Sequence, residues 1–178
     1  MKETVEQRNG VNAGTTFPQD WEERVEKVIA QFPVSKRSAC LPLLHLWQST
    51  FGYISEEGVQ WIAARLGLEP IHVWELVTFY PMLRQEPVGK VHFKVCRTLS
   101  CALGGAGELY EYLRGRCRMG QPDEHGVCRS SDGVYSMEWV ECLASCGTPP
   151  VMMVHDEFYD RVTTEKAEKI LEKWATER

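Results

Sequence analysis

The sequence has no long hydrophobic run. Its apolar stretches, Val151 to Val154 among them, fall far short of the 18 or so residues that cross a bilayer, and the mean hydropathy is −0.32. Direct membrane insertion is therefore not expected, and any membrane association would come through a partner. Basic blocks are missing too. Residues 1–89 carry 8 basic and 11 acidic side chains and residues 90–178 carry 12 and 14, so the net charge of −5 is evenly spread. Nucleic acid is not an expected partner. The first ten residues have neither the apolar centre of a secretory signal nor the acid-poor, Arg/Ser-rich character of a transit peptide, which makes a cytoplasmic location the expectation. No acid–base or nucleophilic set stands out, and no catalytic residue is assigned. His45, His72, His92, His125 and His155 show no i, i+4 pairing, and His92 and His155 look like outward strand positions.

What the chain does have is cysteine. Its 178 residues allow about one domain with room for a small second one, and 43% hydrophobic with 25% charged residues is an ordinary globular composition. Seven cysteines are the anomaly. The count is odd and the expected compartment is reducing, so a disulfide framework explains it poorly, and thiolate chemistry at a metal or redox site leads.

Residues 1–17 are polar and aperiodic and predict a flexible arm. Helical periodicity follows. Trp21, Val25, Val28, Ile29 and Phe32 predict an amphipathic helix capped by Asp20 and stopped by Pro33. A second helix is predicted over about Ser38 to Phe51, ended by Gly52, and a third is capped by Ser55 and closed by Gly67. Pro70 opens a fourth running to about Tyr80, with Ile71, Trp74 and Val77 as its inner face. This is a four-helix segment over 18–87. At Val88 the period changes to two. Strands are predicted at Val91 to Cys96, Val134 to Glu141, Val151 to His155 and Phe158 to Val162, the last two forming a hairpin. A helix follows the glycines at 104, 105 and 107, and another, capped by Thr164, ends the chain. No structure is assigned from Gly115 to Asp132. The order strand, helix, three strands, helix suggests an α/β layer of thioredoxin-like size over 88–178.

Two cysteine pairs sit just beyond strand ends: Cys96 with Cys101 at C-x4-C, and Cys142 with Cys146 at C-x3-C. Two thiolate pairs can supply two ligands to each iron of a [2Fe-2S] cluster. Structural zinc, which often uses C-x2-C, and dithiol catalysis, which uses C-x-x-C, fit these spacings less well and stay as alternatives.

The run Val88-Gly-Lys-Val-His-Phe-Lys-Val-Cys96 with Cys101, followed by Val140-Glu-Cys142-Leu-Ala-Ser-Cys146 and Pro150-Val-Met152, resembles the 24 kDa-subunit family of NADH:quinone oxidoreductase, the thioredoxin-like [2Fe-2S] ferredoxins of respiratory complex I. Upstream, Phe51-Gly-Tyr-Ile-Ser55 and Val77-Thr-Phe-Tyr80 extend the match to about 20–178. The resemblance implies that Cys96, Cys101, Cys142 and Cys146 ligate one [2Fe-2S] cluster. It implies an α/β thioredoxin-like [2Fe-2S] domain preceded by a small all-α helical docking bundle. It also implies a flavin- and NADH-binding 51 kDa partner subunit, a larger iron-sulfur subunit, and a peripheral place on the cytoplasmic face of a bacterial inner membrane. A diaphorase small subunit of an NAD-linked hydrogenase or formate dehydrogenase is the alternative within this chemistry. A free-standing ferredoxin is the other, and the helical segment argues against it. FMN and NADH are expected on the partner, since Gly104-Gly105-Ala106-Gly107 lacks the dinucleotide spacing. The sequence departs from the family in its linker over Cys117 to Ser131 and in an extra proline at Thr148-Pro149-Pro150.

Around this site, the glycines after Cys101 and the start of the following helix suggest amide-to-sulfur hydrogen bonds. Residues 130–160 contain Asp132, Glu138, Glu141, Asp156, Glu157 and Asp160 without Lys or Arg, a field that predicts a low reduction potential. Cys40, in a helical pattern, is expected to be a small buried hydrophobe. Cys117 and Cys128 could form a disulfide on oxidation or a second metal pair, but are expected to be unligated thiols in a surface loop.

Overall fold

The computed structural model describes residues 16–176. The expected arm therefore lies outside the described residues, except for Thr16 and Phe17. The chain divides into two compact units, one ending at Pro87 and the other beginning at Val88.

The first unit contains α1 (Trp21–Ala30), a 3-10 turn over Lys36–Ala39, α2 (Cys40–Phe51), α3 (Glu56–Leu66) and α4 (Pro70–Phe79). Its core is aromatic. The rings of Trp21, Trp47 and Trp61 are buried with centroids 5.4–5.8 Å apart, and Phe17 stacks on Trp21 at 5.4 Å, so Phe17 belongs to this core and not to an arm. Ser55 caps α3 as expected, its Oγ accepting from Gly58 N–H at 3.1 Å. Gly52 ends α2 at φ +88°, a conformation that costs glycine little. Asp20, by contrast, makes no side-chain cap at α1. In α4 the buried face is Val73 and Val77 rather than Ile71, which is 61% exposed because it lies about 200° around the helix from Val73. Cys40 is buried as expected, and burial pushes its thiol up to about 11.

The second unit is a mixed sheet with helices. It runs β1 (Val91–Cys96), α5 (Leu99–Leu103), α6 (Ala106–Arg116), β2 (Val127–Arg129), β3 (Tyr135–Val140), β4 (Met152–Val154), β5 (Glu157–Tyr159) and α7 (Thr164–Thr176). Strand order is β2-β3-β1-β4-β5. β1 pairs with β3 in parallel, and the β2–β3, β1–β4 and β4–β5 pairs are antiparallel. The hairpin turns at His155-Asp156, with Val154 opposite Glu157. At α7 the capping hydroxyl is that of Thr163, not Thr164, accepting from Lys166 N–H at 3.2 Å.

The segment left without structure supplies a fifth strand, β2, and buries Cys117 and Cys128; neither lies in a surface loop, and no disulfide joins the cysteines. Cys128 Sγ lies 3.2 Å from the hydroxyl of Tyr110, whose ring stacks on Trp139 at 4.0 Å. His92 is not outward but 0% exposed, because β1 is a central strand with both faces covered. Its Nδ1 lies 2.8 Å from Ser136 Oγ and its Nε2 2.9 Å from Glu138 Oε1, while Ser136 Oγ accepts from Gly89 N–H at 2.8 Å. The set pins β1 to β3 by satisfying groups that would otherwise be costly to bury. His155 sits in the hairpin turn with its Nε2 2.9 Å from Lys90 O.

The turn before β2 is organised by Asp123, whose Oδ1 accepts from His125 and Val127 N–H at 2.9 and 3.0 Å while Oδ2 meets Arg129. Partial burial opposes its charge, but the Val127 N–H, the Arg129 guanidinium and the His125 N–H more than offset this and hold the carboxyl below its usual range. A depressed folded-state pKa gives stability that is present above the unfolded value and lost as pH falls through the folded one. Asp123→Asn is expected to lower stability at neutral pH and flatten its acid-side decline in denaturant titrations; an unchanged pH profile would contradict this. In the helical unit, a Cβ at Gly58 would meet the Trp47 ring at 2.5 Å. Gly58→Ala should therefore destabilise the unit by about 1–3 kcal/mol as an overpacked site, read by chemical unfolding.

Candidate metal centre

Parallel pairing places Cys96, the last residue of β1, opposite Val140, the last residue of β3, so both chains leave the sheet at the same end. Arg97 N–H donates to Val140 O at 3.0 Å, one residue past this pair, and on the β4 side of β1 Cys96 N–H donates to Val151 O at 3.1 Å. Cys96 begins one cysteine segment. Cys101 does not lie in a loop, as its spacing suggested, but inside the short helix α5, and both residues are 2% exposed. Cys142 and Cys146, in the loop after β3, are exposed, with their sulfurs 3.8 Å apart. Among the described residues no three of these sulfurs come within 4.8 Å of one another, so the arrangement is two pairs and not one tetrahedron.

Hydrogen bonds reach the sulfurs from within their own segments, Thr98 Oγ1 lying 3.3 Å from Cys96 Sγ and Ala144 N–H donating to Cys142 Sγ at 3.3 Å, and polar groups of both segments set the thiols' acidity. Burial would raise the Cys96 thiol, but the Thr98 hydroxyl at 3.3 Å, the N–H groups of Leu143 and Thr98 and the Cys101 thiol together bring it below its ordinary value. Burial and the neighbouring Cys96 push Cys101 up, against a bond from Val151 N–H. Cys146 is pushed up by its hydrogen bond and charge interaction with Cys142, while Ser100 donates to it. Ala144 takes φ +60° and turns its N–H onto Cys142 Sγ at 3.3 Å. These donors belong to the cysteine segments themselves, whereas the sequence pointed to the start of the next helix. Only the hydroxyl types at Thr98 and Ser100 were visible signals for them.

The electrostatics suit a cation. Thiols that oppose one another's ionisation need a positive charge among them before they can all be thiolates. Four sulfurs in two pairs, each with donors, match the donor set of an iron–sulfur cluster better than a lone zinc, whose four sulfurs would lie about 3.8 Å from one another at Zn–S of about 2.3 Å. The acidic field expected over 130–160 is largely paired by basic residues from outside it. Arg97 Nε donates to Glu141 at 3.0 Å, and Lys94, Lys173 and Lys166 lie 3.6, 2.6 and 3.4 Å from Asp156, Glu157 and Asp160. The field these acids cast is therefore smaller than their number alone implies, and it does not by itself set a low potential.

A profile for thioredoxin-like [2Fe-2S] ferredoxins matches residues 25–175. The chain belongs to the thioredoxin-like [2Fe-2S] ferredoxin family. It is 39% identical over 157 residues to NADH-quinone oxidoreductase subunit 2 of Thermus thermophilus, covering 87% of this chain and 84% of that one. It is 34% identical over 164 residues to a subunit of the NADH-quinone oxidoreductase of Mycobacterium tuberculosis, covering 90% of this chain but only 63% of that longer one. Among solved structures, a chain of an NAD+-reducing [NiFe]-hydrogenase in the air-oxidized state superposes with a TM-score of 0.65 at 17% identity. The match covers 78% of this chain and 23% of the hydrogenase chain, and it shows a shared fold.

For a ferredoxin of this family, donors to sulfur stabilise the more negative reduced state and raise the potential. Thr98→Val should lower the reduction potential in a redox titration. An unchanged or higher value would contradict the role given to the Thr98 hydroxyl.

Proposed function

We propose that this chain is the [2Fe-2S] electron-transfer subunit of an NADH-quinone oxidoreductase, with Cys96, Cys101, Cys142 and Cys146 holding the cluster. The observation that carries this reading is that parallel strands end level and bring both cysteine segments, Cys96 with Cys101 and Cys142 with Cys146, to one end of the sheet. Relatives bearing that enzyme's name, 31–39% identical over most of this chain, support the assembly. The hydrogenase likeness, at 17% identity, carries the fold alone.

When bound, the cluster supplies a one-electron carrier. The chain does the rest. Cys96 and Cys101 anchor from the buried side, while exposed Cys142 and Cys146 set the side on which a donor or acceptor can approach. The Thr98, Ser100, Leu143, Ala144 and Val151 donors meet the negative charge that reduction adds at the sulfurs. No proton transfer or nucleophile is called for in moving one electron. In this reading the electron comes from the flavin of a 51 kDa partner subunit, which also binds NADH, beside a larger iron-sulfur subunit. The helical unit serves as the docking bundle. Among the described residues no helix is long and apolar enough to cross a membrane, so attachment at the cytoplasmic face would run through the complex.

The anaerobically reduced protein should be coloured and give an EPR signal with two irons per chain. Cys96→Ser and Cys142→Ser should each lose or alter the signal. A colourless chain holding one zinc would overturn the assignment. NADH should reduce the chain only when the flavin subunit is added, and reduction by NADH without it would contradict the division of labour.

A further inference from the structure

The glycines after Cys101 do different things. Gly105 sits at φ +95°, where glycine eases the turn, and a Cβ at Gly107 would meet nothing within 4 Å. Gly104 has φ −84° and ψ 7°, which an ordinary residue adopts without strain, so its backbone does not demand glycine. Space does. A Cβ there would lie 2.6 Å from Pro149 Cβ, 2.9 Å from Pro149 Cγ and 3.1 Å from Ser100 O. Real Cβ atoms essentially never come as close as the two Pro149 distances, and a proline ring cannot swing aside.

The contact joins the two cysteine segments. Gly104 ends α5, which carries Cys101, and Pro149 follows the loop that carries Cys146. The Pro149 side has little room to retreat, since Thr148 O accepts from Arg161 N–H and Pro150 O from Val162 N–H, both at 3.0 Å. A side chain at 104 would therefore press α5 away from the loop. Ser100, on the same helix turn as Cys101, and Val151, two residues past Pro149, lie on either side of this contact and would move apart with it.

We propose that Gly104 is a positioning residue whose missing Cβ, seated on Pro149, sets the separation of the Cys96/Cys101 pair from the Cys142/Cys146 pair. It touches no ligand and acts through α5. The inference rests on the reading of the four cysteines as one ligand set, and the test separates the two.

The test compares wild type, Gly104→Ala, the control Gly107→Ala, and Gly104→Ala/Pro149→Gly, which removes the opposing ring. As-purified full-length protein is read by iron content, visible circular dichroism and reduction potential. Iron-free protein is titrated with Cd2+ and read by thiolate–cadmium absorption. Gly104→Ala is expected to shift the spectrum and potential and to weaken Cd2+ binding about tenfold or more, the scale on which misplaced supporting groups cost metal sites. Gly107→Ala should match wild type, and the double variant should recover toward it. A Gly104→Ala protein with wild-type spectrum, potential and Cd2+ affinity overturns the proposal, even if its melting temperature falls. Equal effects of Gly104→Ala and Gly107→Ala overturn it as well. If wild type holds no iron–sulfur cluster yet Gly104→Ala still loses Cd2+ affinity, the positioning stands and the cluster reading falls.

Discussion

Parallel pairing of β1 with β3, in the register that sets Cys96 beside Val140, is the constraint on which the site depends. Cysteines 46 positions apart, Cys96 and Cys142, leave the sheet together only because these strands run the same way and end level. Slipping the register by one residue would turn every side chain of a strand to the opposite face and carry one cysteine segment away from the other. Parallel strands need a crossover, and α5 and α6 lie on it, so the helix bearing Cys101 is part of the device that lets the strands pair.

What locks the register is polar and buried. His92 bridges Ser136 and Glu138 across the two strands, and Gly89 N–H completes the set on Ser136. A Cβ at Gly89 would meet the backbone of Tyr135 at 2.6 Å, so the entry to β1 tolerates no side chain there either. At the far end of the same strands, mutually opposing thiols replace satisfied polar pairs. One end of the ladder is complete in itself, and the other, in the function proposed, would be completed by a cation.

Much of this was legible in the sequence, for physical reasons that differ from element to element. Period-two alternation at Val91, Phe93 and Val95 exposed β1, and helical periodicity with Ser55 and Gly52 exposed α2 and α3, because burial on one face writes itself into the pattern. The same rule misplaced His92: a central strand is covered on both faces, so alternation no longer separates inside from outside. α5 escaped notice because its five residues give no window in which a period can register. β2, Cys117 and Cys128 escaped because three residues between turns carry too little pattern. The four cysteines stood out through spacing and strand-end position. Their backbone donors could not, since an N–H aimed at sulfur leaves no mark on residue type, as Leu143 and Val151 show.

In the function proposed, two thiolate pairs hold two irons. The most direct measurement is a crystal structure of the anaerobically purified chain with anomalous maps collected at the iron and zinc absorption edges. Two iron peaks are expected, one beside Cys96 and Cys101 and the other beside Cys142 and Cys146. A single peak shared by all four sulfurs, or a peak that appears above the zinc edge and vanishes in the map collected between the iron and zinc edges, would contradict it.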